Sequence, residues 1–219
     1  MTFVAGVEFR VSIGSRPPMG DNIGFMFFAR RPSRPAIERF LAESQELPLS
    51  YRPIGIAQTA PAGYDIDETV VAIGRGQTGF DRAKVALVRW THFDIGWVEL
   101  FPPTAAVEPG TVVGVLIHHL GFWSLNGCRV VYGVGDRESP RFGFAYGTLI
   151  NHAEAGEEIF EVFLQPESDN VVYRIRAVSR PRAALARLGY PFIRVLQARF
   201  RRESAEAMKR ATDGPGLRP

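Results

Sequence analysis

The sequence of 219 residues predicts one α+β domain in which a curved antiparallel β-sheet grips a long carboxy-terminal α-helix. Two observations support this fold class. Several segments between residues 97 and 178 alternate apolar and polar residues with a period of two, which is typical of strands joined by hairpins. Residues 192–211 instead place Phe192, Leu196 and Phe200 four residues apart, as on the apolar face of a helix. Such a helix needs an apolar surface to cover, and the sheet provides one.

Length and composition favour a single ordinary globular domain. Hydrophobic residues make up 46% of the chain and charged residues 22%, which excludes a disordered or fibrous protein. Glu8 and Arg10 interrupt the first apolar residues, and no window approaches the roughly 20 apolar residues needed to cross a bilayer. Cys128 is the single cysteine, and we interpret it as a small buried residue rather than a nucleophile. We therefore expect a cytoplasmic protein with no membrane span.

The chain divides into three parts by its pattern of elements. Residues 1–48 are predicted to be an extension that precedes the domain or packs on it, with a short amphipathic helix over 35–46. The main domain covers 49–211, and 212–219 form a polar tail. Within the domain, residues 69–74 predict a strand. Thr78 and Asp81 then suggest a capping box at the start of a helix that reaches about residue 92.

An antiparallel meander follows this helix. Strands are expected at residues 97–101, 111–120, 141–150, 157–164 and 171–178, and Asn126-Gly127 favours the tight turn of a hairpin. In the strand at 141–150, large side chains alternate with Gly143, Ala145 and Gly147. The small face leaves room for a crossing helix, a bulge or a ligand, and these alternatives stay open.

This order of elements resembles the helix-grip fold of START and Bet v 1-like (SRPBCC) proteins, in which a cavity lies between a curved sheet and a long terminal helix. A more specific resemblance is to the uncharacterised UPF0548 family, also called domain of unknown function DUF1990. The similar segments are VAIGRGQTGFDRAKVALVRW, CRVVYGVGD, FGFAYGTLINHAEAGEE and AVSRPRAALARLGYPFIRVLQARFRRES. The resemblance covers roughly Leu49 to Ala211. It implies the fold, but no activity, substrate or catalytic residue.

Gly74, Gly76 and Gly79 form a GxGxxG pattern between a strand and a helix, as in dinucleotide-binding proteins. The strands that follow are predicted to form hairpins rather than a second βαβ unit, so we favour a glycine-rich turn. His118 and His119 are adjacent in a strand. Their side chains should therefore point to opposite faces and cannot easily share a metal ion.

His152, Glu154, Glu157 and Glu158 form a compact run whose side chains could bind a divalent metal or transfer protons. If a strand begins near residue 157, neighbouring glutamates diverge, and we favour a solvent-facing turn. We predict no metal and no cofactor. The arginine-rich end from Arg174 onward is interpreted as a solvated helix face, and no nucleic-acid partner is expected.

Three functional hypotheses follow from this fold. The first is a protein that binds a small apolar or lipid-like molecule in the cavity between sheet and helix. Its candidate ligand-binding residues are Trp123, Tyr146, Thr148, His152 and Arg180. The second is an enzyme, a hydrolase or isomerase, that uses His152 and Glu157 as an acid–base pair in the same cavity. The third is a non-enzymatic interaction protein that docks through its basic carboxy-terminal helix.

Overall fold

The structure is a computed structural model that describes residues 26–136, 139–182 and 190–213. Its helices are α1 (Arg34–Ser44), α2 (Ile56–Thr59), α3 (Gly76–Val88) and α4 (Tyr190–Asp213), with a short 3-10 helix at Thr91–Phe93. Its strands are β1 (Met26–Phe28), β2 (Asp65–Arg75), β3 (Val98–Phe101), β4 (Val112–His119), β5 (Phe122–Val134), β6 (Arg141–Thr148), β7 (Glu154–Gln165) and β8 (Asn170–Pro181). No described helix is long and apolar enough to cross a membrane.

All strands belong to one antiparallel sheet. Its order is β2-β8-β7-β6-β5-β4-β3, and the short β1 pairs with β5 beyond the end of β6. Strand β5 pairs with β4 over its first half and with β6 over its second half, and a register shift lies between Val130 and Tyr132. Such bulges bend a strand and increase its twist. The predicted sheet and its long terminal helix are confirmed.

Helices α3 and α4 cover one face of the sheet, which we call the inner face. The main core lies there and includes Phe144, Phe160, Tyr173 and Met208, all fully buried. The Tyr173 hydroxyl is 2.9 Å from that of Ser204 in α4, so the helix is also hydrogen-bonded to the sheet. Cys128 is buried in the same core, as the sequence predicts.

The opposite, outer face carries the amino-terminal elements. Ile37 and Phe40 of α1 pack on Leu116 and Leu125 of β4 and β5. The part of the predicted extension that the structure describes is therefore packed on the sheet. At the other end of the chain, α4 continues to Asp213, two residues into the predicted tail.

Two predicted local features are wrong. The chain turns at Leu120 and Gly121, where both φ angles are positive, and not at Asn126-Gly127. Residues 126 and 127 lie inside β5 instead. A Cβ on Gly127 would come within 2.4 Å of the Asn151 Oδ1, so this glycine permits a close approach. Helix α3 begins at Gly76, which places Thr78 inside the helix rather than at its cap.

The small face of β6 is filled by protein. A Cβ on Gly147 would lie 2.3 Å from the hydroxyl oxygen of Tyr51, and Ala145 packs in the same outer-face cluster. The large side chains Phe144, Tyr146 and Thr148 point to the inner face. Any space for a ligand is therefore on the side of the bulky residues.

Candidate functional site

A cavity of about 210 Å³ lies between the inner face and α4. Its walls are mainly apolar and come from the 3-10 helix region, the β3–β5 part of the sheet and the first half of α4. The principal apolar lining residues are Phe93, Trp97, Ile117, Phe192, Leu196 and Phe200. The Trp97 ring is held in place by a 2.6 Å hydrogen bond from Nε1 to the Glu203 carboxylate.

Polar side chains gather where β6, β7 and β8 meet α4. Glu154 and Glu158 are four residues apart on β7, so both side chains point to the inner face. Tyr146 of β6 and Gln197 and Arg201 of α4 also line the cavity. One end of an otherwise apolar cavity is therefore polar.

Glu158 accepts a 2.8 Å hydrogen bond from the Tyr146 hydroxyl through Oε2. Burial raises the pKa of Glu158 to about 7, and the Tyr146 hydrogen bond opposes this shift. Burial also raises the pKa of Tyr146 well above its ordinary value of 10.0. Near neutral pH, therefore, only the carboxyl group of this pair gains or loses a proton.

Glu154 accepts hydrogen bonds from Gln197 Nε2 to both carboxylate oxygens, at 2.9 and 3.0 Å. Burial raises the pKa of Glu154 to about 7 as well, while the Gln197 hydrogen bond lowers it. His152 Nδ1 accepts a 3.0 Å hydrogen bond from the backbone N–H of Glu154, which leaves the proton of the neutral ring on Nε2. Burial lowers the pKa of His152 to about 4, so the ring is neutral at pH 7.

Two arginines of α4 neutralise a third carboxylate beside the cavity. Arg194 Nη2 donates to Asp67 Oδ1 of β2 at 2.7 Å, and Arg201 Nη2 lies 2.9 Å from the same oxygen. Arg194 also donates to Gln197 Oε1 at 3.2 Å. These contacts fix the polar face of α4 against the edge strand β2.

Glu157, next to Glu158, also contributes to the cavity wall, but its carboxylate points to the outer face. Its carboxylate accepts hydrogen bonds from the Tyr51 and Tyr132 hydroxyls at 2.7 and 2.6 Å, and from the backbone N–H groups of Gly55 and Ala57 at 2.9 and 3.2 Å. The proposed acid–base pair of His152 and Glu157 is therefore wrong, because their functional groups lie on different faces of the sheet.

The structure brings together three of the five candidate ligand-binding residues. Tyr146, Thr148 and His152 line the cavity. The Thr148 hydroxyl is already bonded to the N–H and C=O of Gly156, at 2.9 and 3.1 Å, so it fixes the backbone there. Trp123 and Arg180 are not among the cavity-lining residues.

Trp123 and Arg180 are each one residue away from a position of their strand that lines the cavity. On β5 the cavity is lined by Ser124, and on β8 by Ser179. The Trp123 ring stacks on His118 with centroids 4.3 Å apart, and the Arg180 guanidinium lies 4.7 Å from the centre of the Tyr64 ring. Because the side-chain period of a strand is two, a shift of one residue moves a side chain to the other face.

The remaining motifs have structural explanations. His118 is exposed while His119 faces the cavity, as their adjacency predicts. Strand β2, which precedes the glycine pattern, pairs antiparallel with β8, so the parallel βαβ context of a dinucleotide site does not occur here. Within the described ranges, no three His, Cys, Asp or Glu side chains are placed to hold a metal ion.

Sequence reasoning missed the polar residues that matter most in the cavity. Glu154 and Glu158 were assigned to a solvent-facing turn, although their spacing of four on a strand places them on one face. Arg194, Gln197 and Arg201 follow the i, i+3, i+7 spacing of a single helix face. That spacing could have predicted a polar strip on the helix, beside the apolar residues that face the sheet.

Fold and site together define a helix-grip protein with a cavity that is apolar at one end and acidic at the other. The family model of the domain of unknown function DUF1990 matches residues 50–207. The chain belongs to this family, UPF0548.

Relatives of similar length support this membership. A UPF0548 protein from Dictyostelium discoideum is 32% identical over 206 residues, which cover 85% of this chain and 95% of the relative. Another from Arabidopsis thaliana is 34% identical over 150 residues, covering 67% of this chain and 72% of the relative.

Solved structures with a similar arrangement include Ara h 8.0201 and the Zhui aromatase/cyclase from Streptomyces sp. R1128. Ara h 8.0201 is 13% identical to this chain, with a TM-score of 0.45, and the match covers 68% of this chain and 98% of the Ara h 8.0201 chain. The aromatase/cyclase has 13% identity, covers 70% and 99%, and gives a TM-score of 0.49. We transfer no function from either protein.

Proposed function

We propose that this protein binds a small, mainly apolar molecule in the cavity between the inner face and α4. The observation behind the proposal is the cavity itself. Protein interiors are otherwise close-packed, with few voids larger than a water molecule. A space of about 210 Å³ with aromatic walls and a few convergent polar groups is typical of a ligand site.

The volume limits the size of the ligand. It exceeds the roughly 150 Å³ of an engineered cavity that holds benzene. It is smaller than the roughly 300 Å³ at which pockets for drug-sized molecules begin. A single ring or a short branched chain with one polar group fits within this volume.

The two other hypotheses have less support. The enzyme hypothesis rested on His152 and Glu157, whose functional groups do not meet. The interaction hypothesis depends on a basic surface of α4. On that helix, Arg194 and Arg201 contact Asp67 and Arg199 and Arg202 contact Glu203, so it presents less unpaired positive charge than its sequence suggests.

The proposal can be tested with benzyl alcohol, a probe with one ring and one hydroxyl, by isothermal titration and by the change in tryptophan fluorescence. The key variant is Ala177→Leu, because Ala177 lines the cavity and a larger side chain there occupies its volume. Ala198→Leu is the matched control, since Ala198 is exposed on α4. We expect the wild type and the control to bind the probe, and Ala177→Leu to bind at least ten-fold more weakly. Equal binding by all three proteins, or binding by none, would overturn the proposal.

A further inference from the structure

The polar end of the cavity has more carboxylates than cations. Asp67, Glu154 and Glu158 face two arginines, and both Arg194 and Arg201 form their ion pairs with Asp67. Among the described residues, no ion pair reaches Glu154 or Glu158. Asp67 is thus paired directly, whereas Glu154 and Glu158 interact with Arg194 and Arg201 only at longer range.

The two glutamates differ in their hydrogen-bond partners. Both oxygens of Glu154 accept from Gln197. Glu158 accepts from Tyr146 through Oε2, and no described residue donates to its Oε1. Glu158 is partly exposed and lines the cavity, so this oxygen is open to a hydrogen-bond donor that enters the cavity.

A ligand that completes this site would carry a cationic hydrogen-bond donor on an apolar body. A primary ammonium group supplies three N–H donors and one positive charge. The attraction between an ammonium group and a carboxylate is stronger at the low effective dielectric constant of a partly buried site than in bulk water. The apolar body would pack against Phe93, Trp97 and Phe200, which form the adjoining walls.

We infer that the cavity selects a small primary amine with an aromatic or branched aliphatic body, whose ammonium group binds the Glu158 carboxylate. This inference rests on the proposed function and adds the chemical class of the ligand. Tyr146 orients the carboxylate through Oε2, which directs Oε1 toward the amine. Glu154, on the same face of β7, adds negative charge but is already bonded to Gln197.

The inference includes a pH dependence. The charged and titratable groups around Glu158 come from every neighbouring element: Tyr146 on β6, His152 just before β7 and Glu154 at its start, Asp67 on β2, Tyr173 on β8, Cys128 on β5 and Arg201 on α4. With a pKa of about 7, Glu158 is largely protonated at pH 6 and largely ionised at pH 8. An alkyl ammonium group remains charged over this range. Amine affinity should therefore rise from pH 6 to pH 8.

The experiment compares three probes that share one ring, namely benzylamine, benzyl alcohol and benzoate, by isothermal titration at pH 6, 7 and 8. We expect benzylamine to bind at least ten-fold more tightly than benzyl alcohol at pH 8, and benzoate to bind most weakly. Between pH 6 and pH 8, benzylamine affinity should increase about ten-fold while benzyl alcohol affinity stays constant.

Two variants test the role of Glu158. Glu158→Gln should reduce the preference for benzylamine over benzyl alcohol to less than two-fold and remove most of the pH dependence, while it still binds benzyl alcohol. Glu154→Gln should keep most of the preference. If the wild type binds benzyl alcohol as well as benzylamine, the amine inference fails while the proposed function stands. If no probe binds, both fail.

Discussion

Glu157 and Glu158 are adjacent in β7 and have the same side chain, yet the sheet gives them opposite environments. On the outer face, the Glu157 carboxylate accepts four hydrogen bonds and connects the segment around Tyr51 and α2 to the sheet. On the inner face, the Glu158 carboxylate accepts one hydrogen bond from described residues and faces the cavity. A buried carboxylate stabilises the fold only where the protein supplies enough donors. The outer glutamate therefore supports the fold, whereas the inner glutamate lines the cavity of the proposed ligand site.

The largest expected effect comes from removing the outer carboxylate. Glu157→Ala leaves the hydroxyls of Tyr51 and Tyr132 and two backbone N–H groups without their acceptor. We expect the free energy of unfolding at pH 7 to fall by about 3–5 kcal/mol, measured by urea denaturation.

The matched change on the inner face should be small. Glu158→Gln keeps a carbonyl oxygen for the Tyr146 hydroxyl and removes a charge that Arg201 offsets only at longer range, so we expect a change below about 1 kcal/mol in either direction. Where Glu157→Ala does not fold, Glu157→Gln provides the comparison. Equal losses for Glu157→Gln and Glu158→Gln would contradict the difference between the faces.

A smaller effect, which depends on pH, concerns His92 in the inner-face core. Both ring nitrogens are buried without a hydrogen-bond partner in the described structure, among aromatic rings such as Phe93 and Phe160. Burial lowers the pKa of His92 from 6.5 to about 3. Between these values the unfolded chain binds a proton that the folded protein does not, so stability falls as the pH falls.

His92→Phe removes this proton uptake and the two unpaired nitrogens. We expect the slope of unfolding free energy against pH, between pH 6 and pH 4, to decrease by up to about 1.4 kcal/mol per pH unit. Urea denaturation at several pH values measures this slope. His118→Phe is the control, because it makes the same replacement at an exposed histidine outside the core. An unchanged slope in His92→Phe would show that another group causes the acid sensitivity.

The smallest expected effect tests the assignment of the two faces. Trp123 packs on the outer side of β5 with Phe28 and Leu41. Trp123→Phe should therefore leave benzyl alcohol affinity within about two-fold of the wild type, whereas Trp97→Phe, in the cavity wall, should weaken it. Calorimetric titration is the suitable measurement, since both variants change tryptophan fluorescence. A loss of affinity in Trp123→Phe alone would reverse the assignment.

Much of the fold could be predicted because its signals are local. The alternation through β6 and β8 and the four-residue spacing of apolar residues in α4 each depend on neighbours in sequence. The hairpin turn was predicted wrongly because Asn126-Gly127 satisfies a local rule, while the reason for Gly127 is the side chain of Asn151, which is distant along the chain.

The cavity was predicted less well for the same reason. Of the five residues predicted to bind a ligand, Tyr146, Thr148 and His152 line the cavity and Trp123 and Arg180 do not, because the strand boundaries did not fix which residue faces inward. The roles of Glu154 and Glu158 also depend on α4, since Gln197 and Arg201 come from a helix about 40 residues later in the chain.

The sequence by itself determined the antiparallel strands, the long terminal helix and membership of the UPF0548 family. Period and spacing act within a few residues, and hydrophobic patterning is enough to select the layers. Only the tertiary structure decided which of two adjacent glutamates supports the outer face and which lines the cavity. That choice depends on strand register and on the hydrogen-bond donors that other segments bring. A shift of one residue in register would move each side chain to the opposite face.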